Sequence, residues 1–251
     1  MAARVDKTTD PDIRTGLLLA RRGTAYFQRK LNELRDDEFD APSLLPGWSR
    51  RYVIAHVGYN ARAITHLTEW AATGVETPMY ESPEQRKEQL ELGATLSPAA
   101  LRNLCEHAAV HLNVEWRDLP DDAWRTEVRT SQGRVIPAST TVWMRTREVW
   151  LHAVDLDNGG SYNDFPPELI DHLIADVLSN WRGRHAAESI PNFVLSPDDR
   201  GEPRGIGEGD GPGAIVLHGS AVSLARWATG RGNSDVLTAS GDPAPIAPRW
   251  L

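Results

Sequence analysis

The stretch MRTREVWLHAVDL, residues 144–156, is typical of an amphipathic helix and predicts the last helix of a bundle. Glu148 and His152 are four residues apart, so both side chains leave the same face of that helix, one turn apart. Arg145 and Asp155 lie on the same stripe, beside apolar positions. Four ionisable side chains next to an apolar stripe are costly to bury without a purpose. Imidazole and carboxylate at this spacing can reach one divalent ion, but the pair alone is a weak signal, because a salt-bridged, solvated helix face shows the same spacing.

Three further helices are predicted before this one, each by an apolar stripe at helical spacing. Their starts are indicated by Asp10-Pro11, by Ser49 after a Pro-Gly pair, and by Ser97-Pro98, which are residue types that favour the beginning of a helix. Four helices in the first 160 or so residues favour a bundle. Between the last two, weak alternation around Gln132-Gly133 indicates either a small hairpin or an ordered excursion.

After Gly160 the pattern changes to that of a smaller α/β unit. The predicted elements are a helix from Pro166-Pro167 to about Arg184, strands at Asn192 to Leu195 and at Ala214 to His218, and a helix from Ala221 to Thr229. The glycine-rich stretch from Gly201 to Gly213 is predicted to lack regular structure. The expected domain boundaries are thus 1–160 and 161–251, and the expected fold class is α+β.

Composition excludes several classes of protein. The chain has 251 residues and a formal net charge of −8, which disfavours a nucleic-acid-binding surface. It has no apolar run long enough to span a bilayer and no secretory signal at its start, so we expect a cytoplasmic protein with no membrane partner. Cys105 is the single cysteine and lies on an apolar stripe, where it is expected to be a core residue. A metal site must therefore use histidine and carboxylate ligands.

Two sets of residues have the spacing of a metal site. His56, on the inner face of the second helix, would add an imidazole to Glu148 and His152 and give the three-ligand pattern of a catalytic zinc site. The rival set lies on the third helix and consists of His107, His111 and Glu115. The ordinary explanations are a salt-bridged, solvated face for Glu148 and His152, a hydrogen-bonded core residue for His56, and a partly exposed polar edge for the set on the third helix. Spacing alone leaves these alternatives open.

Four segments together resemble the mycothiol-dependent maleylpyruvate isomerase family. They are GWSRRYVIAHVGYNARA at 47–63, REVWLHAVDL at 147–156, WATGRG at 227–232 and PRWL at 248–251. The resemblance extends over nearly the whole chain. It implies an N-terminal DinB-like four-helix bundle that binds the metal, at 1–160, and a smaller C-terminal α/β domain at 161–251.

The resemblance also implies the site and the reaction. His56, Glu148 and His152 match the family's ligands for a divalent metal, usually zinc, and Arg231 matches an arginine with a catalytic and cofactor-binding role. The implied reaction is the cis–trans isomerisation of maleylpyruvate to fumarylpyruvate by reversible addition of mycothiol. Whether the ion would favour the thiolate or polarise a substrate carbonyl is left open.

Two alternatives to this function remain at the level of sequence. The same scaffold would suit a mycothiol-dependent S-transferase that acts on another electrophile, or a non-catalytic metal-binding module. The expected partners are small molecules, maleylpyruvate and mycothiol, and the expected state is a monomer.

Overall fold

A computed structural model describes residues 5–206 and 213–250, which form two compact units, Met1–Gly160 and Ser161–Leu251. The described residues contain seven α-helices and six short strands. None of these helices is both long and apolar enough to cross a bilayer. A helical bundle with a smaller α/β unit is an α+β fold, as predicted.

The first unit contains five helices and a two-stranded hairpin. These elements are α1 (Pro11–Glu33), α2 (Arg50–Thr73), α3 (Pro83–Gly93), α4 (Pro98–Asp118), β1 (Glu127–Arg129), β2 (Val135–Pro137) and α5 (Thr140–Asp155). The bundle consists of the four long helices, in which α2 packs on α4 and on α5, and α1 packs on α5. The four-helix bundle predicted from sequence is thus confirmed, as is the hairpin alternative.

Side-chain caps fix where three of these helices begin. The side chains of Asp10, Ser49 and Ser97 each accept a hydrogen bond from a backbone N–H in the first turn that follows. Such caps satisfy N–H groups that have no partner within the helix. At its other end, α2 stops at Gly74, whose φ of +73° suits glycine. Local chemistry therefore sets the position of α2, the helix that carries His56.

Close packing sets the position of α5 against α1. Gly23 of α1 lies so near α5 that a Cβ atom added to it would come within 2.5 Å of the Trp150 ring and 2.7 Å of Val149. The indole N–H of Trp150 donates to the carbonyl of Leu19, also on α1, at 3.2 Å. These contacts hold α5 at a defined depth in the bundle.

The helix α3 is a difference from the sequence prediction. Only Leu90 and Gly93 of its eleven residues are buried, so it carries no apolar stripe that periodicity could detect. Ser82 caps its start by accepting from the N–H of Gln85 at 3.1 Å.

The second unit combines two helices with a four-stranded sheet. Its elements are α6 (Pro167–Glu188), β3 (Phe193–Pro197), β4 (Arg204–Gly205), β5 (Ile215–Gly219), α7 (Ala221–Ala228) and β6 (Leu237–Thr238). The strand order is β4-β3-β5-β6, with β3 and β5 parallel and the outer pairs antiparallel. Aromatic rings of Trp181, Phe193 and Trp227 pack edge to face or tilted in its core.

The glycine-rich stretch is partly outside the described residues, since 207–212 are not described. Its first part departs from the prediction of a structureless loop, because Arg204–Gly205 forms β4 and pairs with Val194 and Leu195 of β3. The backbone N–H and C=O groups of that segment find partners at a sheet edge, which glycine content does not prevent.

Candidate metal centre

His56, Glu148 and His152 converge inside the first unit, although 92 positions separate the first two. His56 is 8% exposed and lies on α2, while Glu148 and His152 lie one turn apart on α5. The His56 Nε2 atom is 3.0 Å from Glu148 Oε2, and the His152 Nε2 atom is 3.1 Å from the same oxygen. In the described part of the chain, this is the one group of three such side chains whose ligand atoms all lie within 4.8 Å of one another.

The donor set fits a divalent transition metal. Ligands about 2.1 Å from a tetrahedral zinc ion are about 3.4 Å apart, which is within a few tenths of an ångström of the separations of 3.0 and 3.1 Å. Two imidazoles and one carboxylate leave a fourth position open, which is the pattern of catalytic zinc sites. Two of the three donor separations are therefore already close to those of a bound ion, and all three lie within 4.8 Å.

A buried carboxylate orients His152. The Asp155 side chain is fully buried, and its Oδ2 atom lies 2.9 Å from His152 Nδ1. A carboxylate on the far nitrogen fixes the imidazole tautomer and directs Nε2 at the metal position. The sequence contained a signal for this contact, since Asp155 follows His152 by three residues on one helix face.

His56 is held by packing as well as by its hydrogen bond with Glu148. Its ring lies edge to face with that of Trp48, at a centroid distance of 5.4 Å, and nearly perpendicular to the His152 ring at 5.0 Å. Its Nδ1 atom is buried and has no hydrogen-bond partner among the described residues. Trp48, in the segment that precedes α2, thus helps to position the His56 imidazole.

Burial and hydrogen bonding set the charges of the cluster. Burial opposes ionisation of Glu148, but the hydrogen bonds from His152 and His56 outweigh it and lower its pKa well below the usual value. Burial likewise opposes protonation of His152, but Asp155 and Glu148 raise its pKa to about 9. Burial lowers the pKa of His56. At neutral pH the metal-free cluster therefore holds a proton on His152, which an incoming ion must displace.

Two other ionisable residues, Arg145 and Cys105, are buried in the same bundle. Arg145 is 2% exposed and joins α5 to α2 by donating from Nη1 to the Val57 carbonyl at 2.7 Å and to Asn60 Oδ1 at 2.9 Å. Burial lowers its pKa to about 10, so it stays charged at neutral pH. Cys105 is buried, as predicted, and burial raises the pKa of its thiol to about 12. A thiol of that pKa is a poor nucleophile near neutral pH.

The rival residues on α4 do not converge in this way. His107 and His111 are both exposed. His111 Nε2 lies 3.6 Å from Glu115 and 3.8 Å from Glu69, and its side chain is 55% exposed. These are the distances of loose, solvent-exposed contacts at a helix surface.

Arg231 lies in the second unit, directly after α7. It follows Gly230, whose φ is +79°, so the chain turns away from the helix axis at the predicted position. Its Nη1 donates to the carbonyl of Thr229 at 2.6 Å.

Comparisons with known proteins agree on one family. Residues 20–157 match the model of the mycothiol maleylpyruvate isomerase N-terminal domain, and residues 164–248 match that of the MDMPI C-terminal domain. A crystal structure of the mycothiol-dependent maleylpyruvate isomerase is similar, with a TM-score of 0.88 and 43% identity over 95% of this chain and 97% of that chain. A histidine-to-alanine mutant of that enzyme gives a TM-score of 0.88 and 42% identity over the same shares. No match is found among curated proteins.

Proposed function

The chain belongs to the mycothiol maleylpyruvate isomerase family, and from this premise we propose that it isomerises maleylpyruvate to fumarylpyruvate with mycothiol as the thiol. We further propose that His56, Glu148 and His152 bind the divalent ion, and that the ion is zinc. The observation that carries the proposal is the convergence of these three donors, from two helices, in a protein of this family.

The chemistry requires a nucleophile and an electrophilic centre. When bound, mycothiol would supply the sulfur whose reversible addition makes the substrate double bond a rotatable single bond, and the ion would act as a Lewis acid toward sulfur or oxygen. Glu148 and the two imidazoles would hold the ion, and Asp155 would keep the Nε2 atom of His152 directed at it.

The substrate is a dianion and the protein carries a net charge of −8, so cationic side chains must attract the substrate. We propose Arg231 for this role, since a guanidinium binds a carboxylate through two parallel hydrogen bonds. Cys105 is not required, because its thiol is buried and protonated.

The direct test mixes the purified, metal-loaded protein with mycothiol and maleylpyruvate and follows the formation of fumarylpyruvate. Turnover that depends on mycothiol is expected. Consumption of mycothiol with a different electrophile, and no fumarylpyruvate, would instead identify an S-transferase. A lack of turnover with any mycothiol substrate would favour a non-catalytic metal-binding module.

The role of Arg231 is tested by Arg231→Ala, with Arg226→Ala as a matched control. Arg226 lies on α7 in the same unit and pairs with Asp235 at 2.8 Å. Loss of a desolvated carboxylate contact costs roughly 2–5 kcal/mol, so kcat/KM should fall about 30-fold or more in Arg231→Ala alone. Metal content and Tm are measured alongside. A rate within about threefold of wild type would eliminate Arg231 from the reaction.

Two expectations stay predictions from the sequence. They are the cytoplasmic location of the protein and its monomeric state.

A further inference from the structure

A second feature of the first unit has no role in the site described above. It is a cleft of about 490 Å³ between the end of α2, the start of α3 and the turn of the hairpin, here called the α3 cleft. Its lining includes Tyr80, Arg86 and Arg129, together with two exposed carboxylates, Glu76 and Glu81.

The helix α3 packs on α2 near the turn of α2 that carries His56. Leu90 and Gly93 are the buried residues of α3, and a Cβ atom on Gly93 would meet the Tyr59 ring at 2.5 Å and Ala55 at 3.0 Å. Ala55 directly precedes His56. Because Arg86 lies four and seven residues before Leu90 and Gly93, it shares their face of α3. Its side chain is half-buried.

Tyr80 supports the guanidinium of Arg86. The Arg86 Cζ atom lies 5.6 Å from the centroid of the Tyr80 ring, in a cation–π arrangement. Both side chains are coupled electrostatically to the metal cluster. Burial is the main cause of the lowered pKa of His56, and the charge of Arg86 adds to it. Burial raises the pKa of Tyr80 against the effect of Arg86, and the charge of Glu148 adds to that rise.

Arg86 is a cation that has no ion pair with a carboxylate in the part of the chain described. The guanidinium has five N–H donors, so the hydrogen bond that it shares with the Tyr80 side chain leaves others for a planar anion. A carboxylate is the group that this fork matches best, through two parallel N–H···O bonds. The position next to a predicted metal site therefore suits a carboxylate of a molecule that reacts there.

We propose that Arg86, supported by the ring of Tyr80, binds one carboxylate of the dianionic substrate beside the cluster of His56, Glu148 and His152. This inference rests on the proposed function, because it takes maleylpyruvate as that substrate. Arg86 then supplies a cation from the first unit, independently of the role proposed for Arg231. The contact sets substrate affinity and leaves the chemical step to the ion and the thiol.

The test measures binding of maleate, an unreactive cis-dicarboxylate, to the metal-loaded protein by calorimetry without mycothiol. Arg86→Met is expected to weaken maleate binding by about 10- to 100-fold, the usual effect of losing a charge-assisted contact. Arg86→Lys keeps the charge but lacks the fork of N–H donors, so its affinity for maleate should lie between those of wild type and Arg86→Met. The matched control is Arg62→Met, since Arg62 also lies 5.6 Å from a tyrosine ring, that of Tyr59, and does not line the α3 cleft.

Steady-state kinetics give a second measure. In Arg86→Met the KM for maleylpyruvate should rise by a similar factor, while kcat, the KM for mycothiol and the metal content change by less than about threefold.

Maleate binding by Arg86→Met within threefold of wild type would overturn the proposal, as would a failure of wild type to bind maleate. A rise confined to the KM for mycothiol would assign the α3 cleft to the thiol instead. Because maleate binding needs no turnover, a protein that binds maleate through Arg86 but does not isomerise maleylpyruvate would refute only the proposed function.

Discussion

Asp155→Asn tests how much the buried contact between Asp155 and His152 contributes to the metal site. The substitution keeps the size of the side chain and replaces the carboxylate that lies 2.9 Å from His152 Nδ1. Charge-assisted hydrogen bonds are roughly twice as strong as neutral ones, and loss of such a partner to a metal-binding histidine typically weakens metal binding by about 10- to 100-fold. That factor corresponds to roughly 1.4–2.8 kcal/mol.

The effect should depend on pH. Asp155 is a main reason that the pKa of His152 is raised to about 9, so the wild-type protein must release a proton from His152 to bind an ion at pH 7. In Asp155→Asn the pKa of His152 is lower, and less of this proton competition remains. The metal affinity of wild type should therefore rise more between pH 7 and pH 9 than that of the variant. The loss of metal affinity caused by Asp155→Asn should consequently be larger at pH 9 than at pH 7.

The assay is competition for zinc against a chelating dye at both pH values. Asp157→Asn is the control, because it makes the same chemical change at an exposed position two residues further on. Asp157 has a φ of +51°, a conformation that asparagine tolerates well. Affinity of Asp155→Asn within threefold of wild type at pH 9 would refute the argument that Asp155 orients His152.

Three further predictions concern the first unit. His56→Ala should lose most of its bound metal in elemental analysis, whereas His111→Ala, which alters an exposed side chain, should keep it; the reverse result would move the site to α4. Cys105→Ala should retain mycothiol-dependent turnover. In the native protein the Cys105 thiol, with a pKa of about 12, should resist alkylation at pH 8 until the protein unfolds. A folded, metal-loaded Cys105→Ala protein without activity would make Cys105 a catalytic residue. Gly23→Ala should destabilise the protein by about 1–3 kcal/mol in denaturant unfolding through its clash with α5, whereas Gly183→Ala, which meets nothing within 4 Å, should gain up to about 1 kcal/mol; equal effects would contradict the close packing at Gly23.

The sequence predicts the fold well where the signals are short-range. Asp10, Ser49 and Ser97 cap their helices as expected, because a cap depends only on the three residues that follow it. The helix α3 was not predicted, because only Leu90 and Gly93 of its charged sequence are buried and no apolar periodicity results. Its position is set by contacts with α2.

The candidate site is a different matter, because its geometry is long-range. The spacing of Glu148 and His152 follows from the helix repeat, but no local pattern brings His56 to them across the chain. Only the family resemblance pointed to that set over the residues on α4. Arg86 gave no signal in the sequence, since a single arginine in a charged helix is ordinarily solvated.

The long separation between His56 and Glu148 has a consequence for how such enzymes diverge. The entropic cost of closing a loop grows only with the logarithm of its length, so adding about ten residues to a 92-position separation costs about 0.1 kcal/mol. The hairpin turn at 130–134 lies within that separation and forms one wall of the α3 cleft. Insertions there can therefore reshape the wall without disturbing the ligands. With Arg86 in its proposed role, substrate range and metal chemistry can evolve separately on this scaffold.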